Sequence, residues 1–146
     1  MHPKARLKMI GAGAPRSVQA LVRPGVELTG FVSDLRPHLA QAAAVVVPLR
    51  LGGGTRLKIV EGMAMGKAIV STSLGAEGID AVPNRDLLIE NEPAAFANAV
   101  NRLLADPDLA ARIGQSARRL AVERYSWSGA AQALEGFYRR TLEVVS

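Results

Sequence analysis

The chain has 146 residues, 49% of them hydrophobic, with no cysteine and two histidines. That composition allows one domain with a real core and excludes disulfide and thiolate chemistry; no apolar run reaches the roughly 20 residues of a membrane span. Net charge is +5 but unevenly spread: residues 1–67 hold 10 Lys/Arg against 3 Asp/Glu and residues 68–146 hold 8 against 10, so the basic half favours an anionic partner such as a nucleotide phosphate.

Residues 7–11, Leu-Lys-Met-Ile-Gly, read as a strand ending in glycine, and residues 16–22 as a short helix. Residues 26–32 read as a second strand, followed by the N-cap candidates Ser33 and Asp34 and a helix over 35–42. A third strand, Ala44-Val45-Val46-Val47-Pro48, precedes a helix over 55–65 that Gly66 stops. Fourth and fifth strands are predicted at 68–71 and 87–89. Short runs apolar on both faces and separated by helices indicate an α/β fold, a parallel sheet covered on both sides.

From Pro93 onward the pattern is helical. Phe96, Val100, Leu103 and Leu104 share one face, Asp106 and Pro107 open a second helix, and Ser126 or Ser128 caps a last one carrying Leu134, Phe137, Tyr138 and Leu142. Trp127 reads as a packing anchor, His38 as a helix-surface residue, and Arg118-Arg119 and Arg139-Arg140 as solvated faces. With aromatics at 4%, a stacking platform for single-stranded nucleic acid is not expected. The N-terminus shows no secretory pattern.

Two glycine clusters are candidates for ligand contact. Gly11-Ala12-Gly13 lacks the third glycine of a dinucleotide fingerprint, because Arg16 stands there, and fits a plain turn as well. Gly52-Gly53-Gly54 is stronger. It opens a helix after a strand, where free amides and the positive helix end suit a phosphate. Thr55 can cap that helix or bond a phosphate oxygen. Lys58 and Glu61 are three residues apart on one face, suited to a phosphate charge and to the vicinal hydroxyls of a ribose, or simply to each other as a surface ion pair. The order of residues is not that of a Walker A loop.

The run from Pro48 through Gly-Gly-Gly-Thr-Arg-Leu-Lys, then Glu61-Gly-Met-Ala-Met-Gly-Lys, resembles the nucleotide-sugar site of the retaining GT-B glycosyltransferases of family 4, group 1. The segments at residues 2–13, 26–32 and 125–127 are similar to other parts of that family's C-terminal domain. The resemblance implies a Rossmann-like sheet with a helical C-terminal tail, one domain over residues 1–146, and a UDP- or GDP-sugar as donor with no other cofactor. By the same resemblance Glu61 binds the ribose, Lys58 lies near the phosphates, and the amides of Gly53, Gly54, Thr55 and Arg56 cradle the distal phosphate. Phe31 and Val32 flank the base through the main chain. Gly53 stands where the family's first paired Glu would be. Glu77, in the loop after the fourth strand, either touches the sugar or is an exposed loop residue. No metal is expected, since the helix end and Lys58 can neutralise a leaving diphosphate. No catalytic residue is assigned.

The likeness further implies that the chain is most of a donor half. The acceptor domain and one strand-helix unit, whose strand would lie between those of residues 7–10 and 44–48, have no counterpart here. Expectations follow: no turnover by the chain alone, a sugar or lipid-linked acceptor held by the other domain, possible homodimers through open edges and the last helix, and a cytoplasmic place for the full enzyme, at the inner membrane face. The rivals are a non-catalytic nucleotide-binding or interaction module and a basic nucleic-acid binder.

Overall fold

The computed structural model describes residues 4–54 and 56–145. The chain divides into two compact units, one running to Gln41 and one from Ala42 onward.

In the first unit β1 (Leu7–Met9) pairs in parallel with β2 (Val26–Leu28), with Leu7 opposite Val26 and Met9 opposite Leu28. Lys8 faces Glu27 across the pair at 3.6 Å. Helix α1 (Arg16–Gln19) is shorter than the sequence pattern predicts. Its end tightens into bonds from Leu21 N–H to the Val18 carbonyl and from Val22 N–H to Gln19. Arg23 precedes Pro24 and is disfavoured in helix, so the turn cannot continue. Strand β2 also stops early. Gly30 takes φ +73° and bridges Gly11, which leaves Phe31 and Val32 in the following loop. Helix α2 (Arg36–Gln41) follows, and Asp34 Oδ1 accepts the Arg36 N–H at 2.9 Å, as a cap there predicts. Among the described residues only Leu39 of this unit's hydrophobics is buried.

The second unit holds a three-stranded parallel sheet in the order β3 (Val45–Val47), β4 (Ile69–Ser71), β5 (Leu88–Ile89). Helix α3 (Leu57–Ala64) connects β3 to β4; α4 (Pro93–Ala105), α5 (Pro107–Arg124) and α6 (Trp127–Val145) follow β5. Successive side chains of a strand point to opposite faces, and β4 is buried on both. Ile69 packs with Val47, Ile59, Met63, Leu87, Ala117 and Leu120; Val70 packs with Leu88, Ala99, Leu103 and Ile113. The sheet is therefore covered on both faces, and α5 contributes to both layers. Asp106 caps α5 through a 2.8 Å bond from Leu109 N–H, with Pro107 at the first helical position. Ser126, rather than Ser128, caps α6 by accepting from Gly129 N–H at 3.1 Å.

One expectation fails at that junction. Trp127 is 94% exposed and anchors nothing; Tyr125 does so, packed against the core with its hydroxyl accepting the Asp80 N–H at 2.7 Å. The side chain two residues before Trp127 points into the body, while α6 packs along α5 and leaves Leu134, Phe137, Tyr138 and Leu142 exposed. No described helix is long and apolar enough to cross a membrane.

Candidate functional site

Three β-branched residues, Val45, Val46 and Val47, make β3, and Pro48 ends it. Leu49 is half-buried against the core, and the chain then runs exposed through Arg50, Leu51 and the three glycines. Gly52 has φ +118° and Gly54 φ +91°, conformations that side-chain-bearing residues rarely adopt, so this turn requires glycine. Helix α3 starts at Leu57. The Arg56 carbonyl accepts from Ile59 and Val60, so the amides before them have no intrahelical carbonyl to bond. Ile59, Gly62 and Met63 form the buried face of α3; Leu57, Lys58 and Glu61 lie on the exposed one. Neither Lys58 nor Glu61 joins an ion pair among the described residues. Both charges face solvent beside the positive end of the helix.

The loop after β4 closes against this turn. Thr72 Oγ1 donates to the Leu49 carbonyl at 2.5 Å and accepts the Gly75 N–H at 3.0 Å. A Cβ on Gly75 would stand 2.9 Å from the Val47 carbonyl oxygen, so the loop packs there only because the residue is glycine. Ala76 enters the core, and Glu77 reaches back to α3, where its Oε2 accepts from Arg56 Nη2 at 2.9 Å. The Arg56 side chain is 6% exposed and that of Glu77 68%. Arg56 Nε is buried without a hydrogen-bond partner. Beside this lies an open basin of about 240 Å³ lined by Leu49, Arg50, Thr72, Leu74 and Asn91, at the carboxyl ends of all three strands. Crevices at that end of a parallel sheet are where ligands bind in such folds.

Of the sequence-predicted residues, Gly53, Gly54, Arg56, Lys58, Glu61 and Glu77 all belong to this strand-end region of the second unit. Thr55 lies outside the described residues. Phe31, 80% exposed, and Val32 belong to the first unit. Glu77 is neither free nor idle, because it is the partner of a buried cation. The family resemblance implies a role for the Arg56 amide and none for its side chain; nothing in the spacing marks one arginine of a glycine-rich turn as buried. The Gly11 turn leads into a helix of only four residues. The one Asp-x-Asp spacing in the chain, Asp106-Pro107-Asp108, is the start of α5, where Asp106 serves as the cap.

A family profile described as "Glycosyl transferases group 1" matches residues 1–106. Similar characterised proteins include the alpha-D-kanosaminyltransferase of Streptomyces kanamyceticus, 32% identical over 90% of this chain and 33% of that enzyme. The D-inositol 3-phosphate glycosyltransferase of Streptomyces avermitilis is 30% identical over 91% of this chain and 30% of its own length. The chain thus spans about a third of these relatives. Among solved structures, Anabaena HepE in complex with UDP superposes with a TM-score of 0.82 at 20% identity, covering 94% of this chain and 42% of HepE. The C-terminal domain of LpcC, a group 1 family protein of Francisella tularensis, superposes with a TM-score of 0.62 at 23% identity, covering 77% of this chain and 60% of that one. With the glycine turn at its strand end and parallel strands under helices, the chain belongs to the group 1 glycosyl transferases, as a GT-B domain of the C-terminal type.

Proposed function

We propose that this chain binds the nucleoside-diphosphate sugar donor of a glycosyltransferase that passes the sugar to an acceptor with retention. The observation that carries the reading is the side-chain-free turn at Gly52, Gly53 and Gly54, leading into α3 with Lys58 and Glu61 on its exposed face and in no ion pair among the described residues. Amides of Gly53, Gly54 and Arg56, with Thr55, hold the distal phosphate; Lys58 and the helix end offset its charge as the diphosphate leaves. Glu61 accepts from the ribose hydroxyls. The donor is a UDP- or GDP-sugar. HepE, a structural neighbour, has been solved with UDP and with UDP-glucose, which supports a uridine nucleotide here.

Transfer needs a surface for the acceptor, a sugar or a lipid-linked sugar, and the chain spans only about a third of its curated relatives. The isolated chain is therefore expected to bind donor weakly and form no product. The exposed face of α6 supports self-association of the isolated chain.

Titration of the labelled chain with UDP and GDP, followed by the amide signals of Gly53 and Gly54, tests the reading. Shifts at those glycines with weak salt dependence support it. Binding of neither nucleotide, as for an interaction module, or binding of an oligonucleotide that falls steeply with salt overturns it.

A further inference from the structure

Gly52, Gly53 and Gly54 bring no side chain to the turn before α3, so a neighbouring element has room to offer a side-chain acceptor to a ligand hydroxyl there. The fold delivers one. The loop after β4 is fixed through Thr72, Gly75 and Ala76, and it presents Glu77 to Arg56 at 2.9 Å. The two partners differ in what they need. An exposed carboxylate is satisfied by water, whereas a buried guanidinium without an anion is strongly unfavourable. Arg56 is 6% exposed with Nε unpartnered, so its contact with Glu77 is the compensation it has among the described residues. The pair therefore forms because Arg56 requires it, and its effect is to hold the Glu77 carboxylate in one place, at the edge of the turn. A carboxylate has about four acceptor positions, and a single guanidinium N–H occupies one. Glu77, 68% exposed, keeps capacity for a ligand.

We propose that Glu77 accepts hydrogen bonds from hydroxyl groups of the sugar moiety of a bound nucleotide sugar, and that Arg56 is its positioning residue; this rests on the donor-site reading above. Arg56 thereby links the phosphate turn, of which its amide is part, to the group that reads the sugar.

The test compares each nucleotide with its sugar. The labelled chain and its Glu77→Ala, Arg56→Met and Arg56→Lys variants are titrated with UDP, UDP-glucose, GDP and GDP-mannose. The wild type is expected to bind one nucleotide sugar more tightly than the matching diphosphate. Glu77→Ala is expected to cost that nucleotide sugar about three- to tenfold, the span of one hydrogen bond, while leaving the bare diphosphate within about twofold. Arg56→Met should lose the preference for the nucleotide sugar over the matching diphosphate, and Arg56→Lys, which keeps the charge, should retain part of it. If Arg56→Met loses its dispersed spectrum, Glu77→Ala and Arg56→Lys carry the test. Equal loss of nucleotide and nucleotide sugar would make the pair purely structural and overturn the proposal. So would a wild type without preference, or a preference that survives Glu77→Ala. Failure of the wild type to bind any of the four ligands overturns the donor-site reading itself, a distinct result.

Discussion

Asp86 shows how this small core tolerates a charge. It is 1% exposed, yet it accepts from Val82 N–H at 2.9 Å, from the Arg85 guanidinium at 2.8 and 3.0 Å, and from Ser116 Oγ at 2.6 Å. Burial works to raise its pKa; the bonds from Arg85, Ser116 and Val82 outweigh burial and lower it from 3.8 to about 2. A depressed carboxylate stabilises the fold above its unfolded pKa and stops doing so as pH falls through the folded value. The window thus runs from about pH 4 down to about pH 2, and the stabilisation lost across it is about 2 kcal/mol. Urea midpoints measured from pH 6 to pH 2 are expected to fall more steeply for the wild type than for Asp86→Asn, which starts lower and lacks this component. None of this was legible beforehand, since Ser116 is 30 residues from Asp86 and on another element. Glu61 was legible, because a helix repeat alone places it beside Lys58. Glu61→Ala is expected to weaken UDP or GDP binding by about 1.5–3 kcal/mol, the worth of a hydrogen bond to a charged group, read by calorimetry; unchanged affinity would remove Glu61 from the site.

At the scale of elements, strand and helix order followed from apolar runs and punctuation, and the caps Asp34, Asp106 and Ser126 sit where their side chains predict. Boundaries shifted where local chemistry intervened: Pro24 beyond α1, and glycine at position 30 beyond β2. What the pattern could not supply was how elements cross. Gly114 of α5 meets the connection between α3 and β4, where an added Cβ would lie 2.9 Å from the Gly66 carbonyl carbon and 3.3 Å from the Ala68 nitrogen. These are backbone atoms and cannot swing aside. Gly114→Ala is expected to destabilise by about 1–3 kcal/mol through overpacking, against the small gain in helix propensity that alanine brings. For a domain of this length that is a Tm lower by roughly 3–15 °C, measured calorimetrically. A Tm equal to or above the wild type would show that the connection yields to the added methyl.

The two units differ in how much they bury. The first has Leu39 as its buried hydrophobic among the described residues, while the second has both layers of the sheet. Local opening costs least where few apolar contacts must break. Amide exchange in β1 and β2 is therefore expected to be faster than in β3 and β4; equal protection would mean the units open together. Among the described residues β1 pairs only with β2, and β3 only with β4, so each keeps one free edge. Free edges and the uncovered face of α6 favour association of this chain with itself. Sedimentation is expected to show a mass above 15.4 kDa that rises with concentration, and a constant monomer would exclude that contact.

Helix α5 belongs to two layers at once. Ile113 sits in one, and Ala117, Leu120 and Ala121 in the other, about one to two turns further along the same rod. Neither covering of the sheet can peel away while α5 stays docked on the opposite side, since the rod carries both. Shedding one layer of the second unit therefore disturbs the other, and denaturation of this part is expected to be a single cooperative event, seen as coincident transitions by different probes.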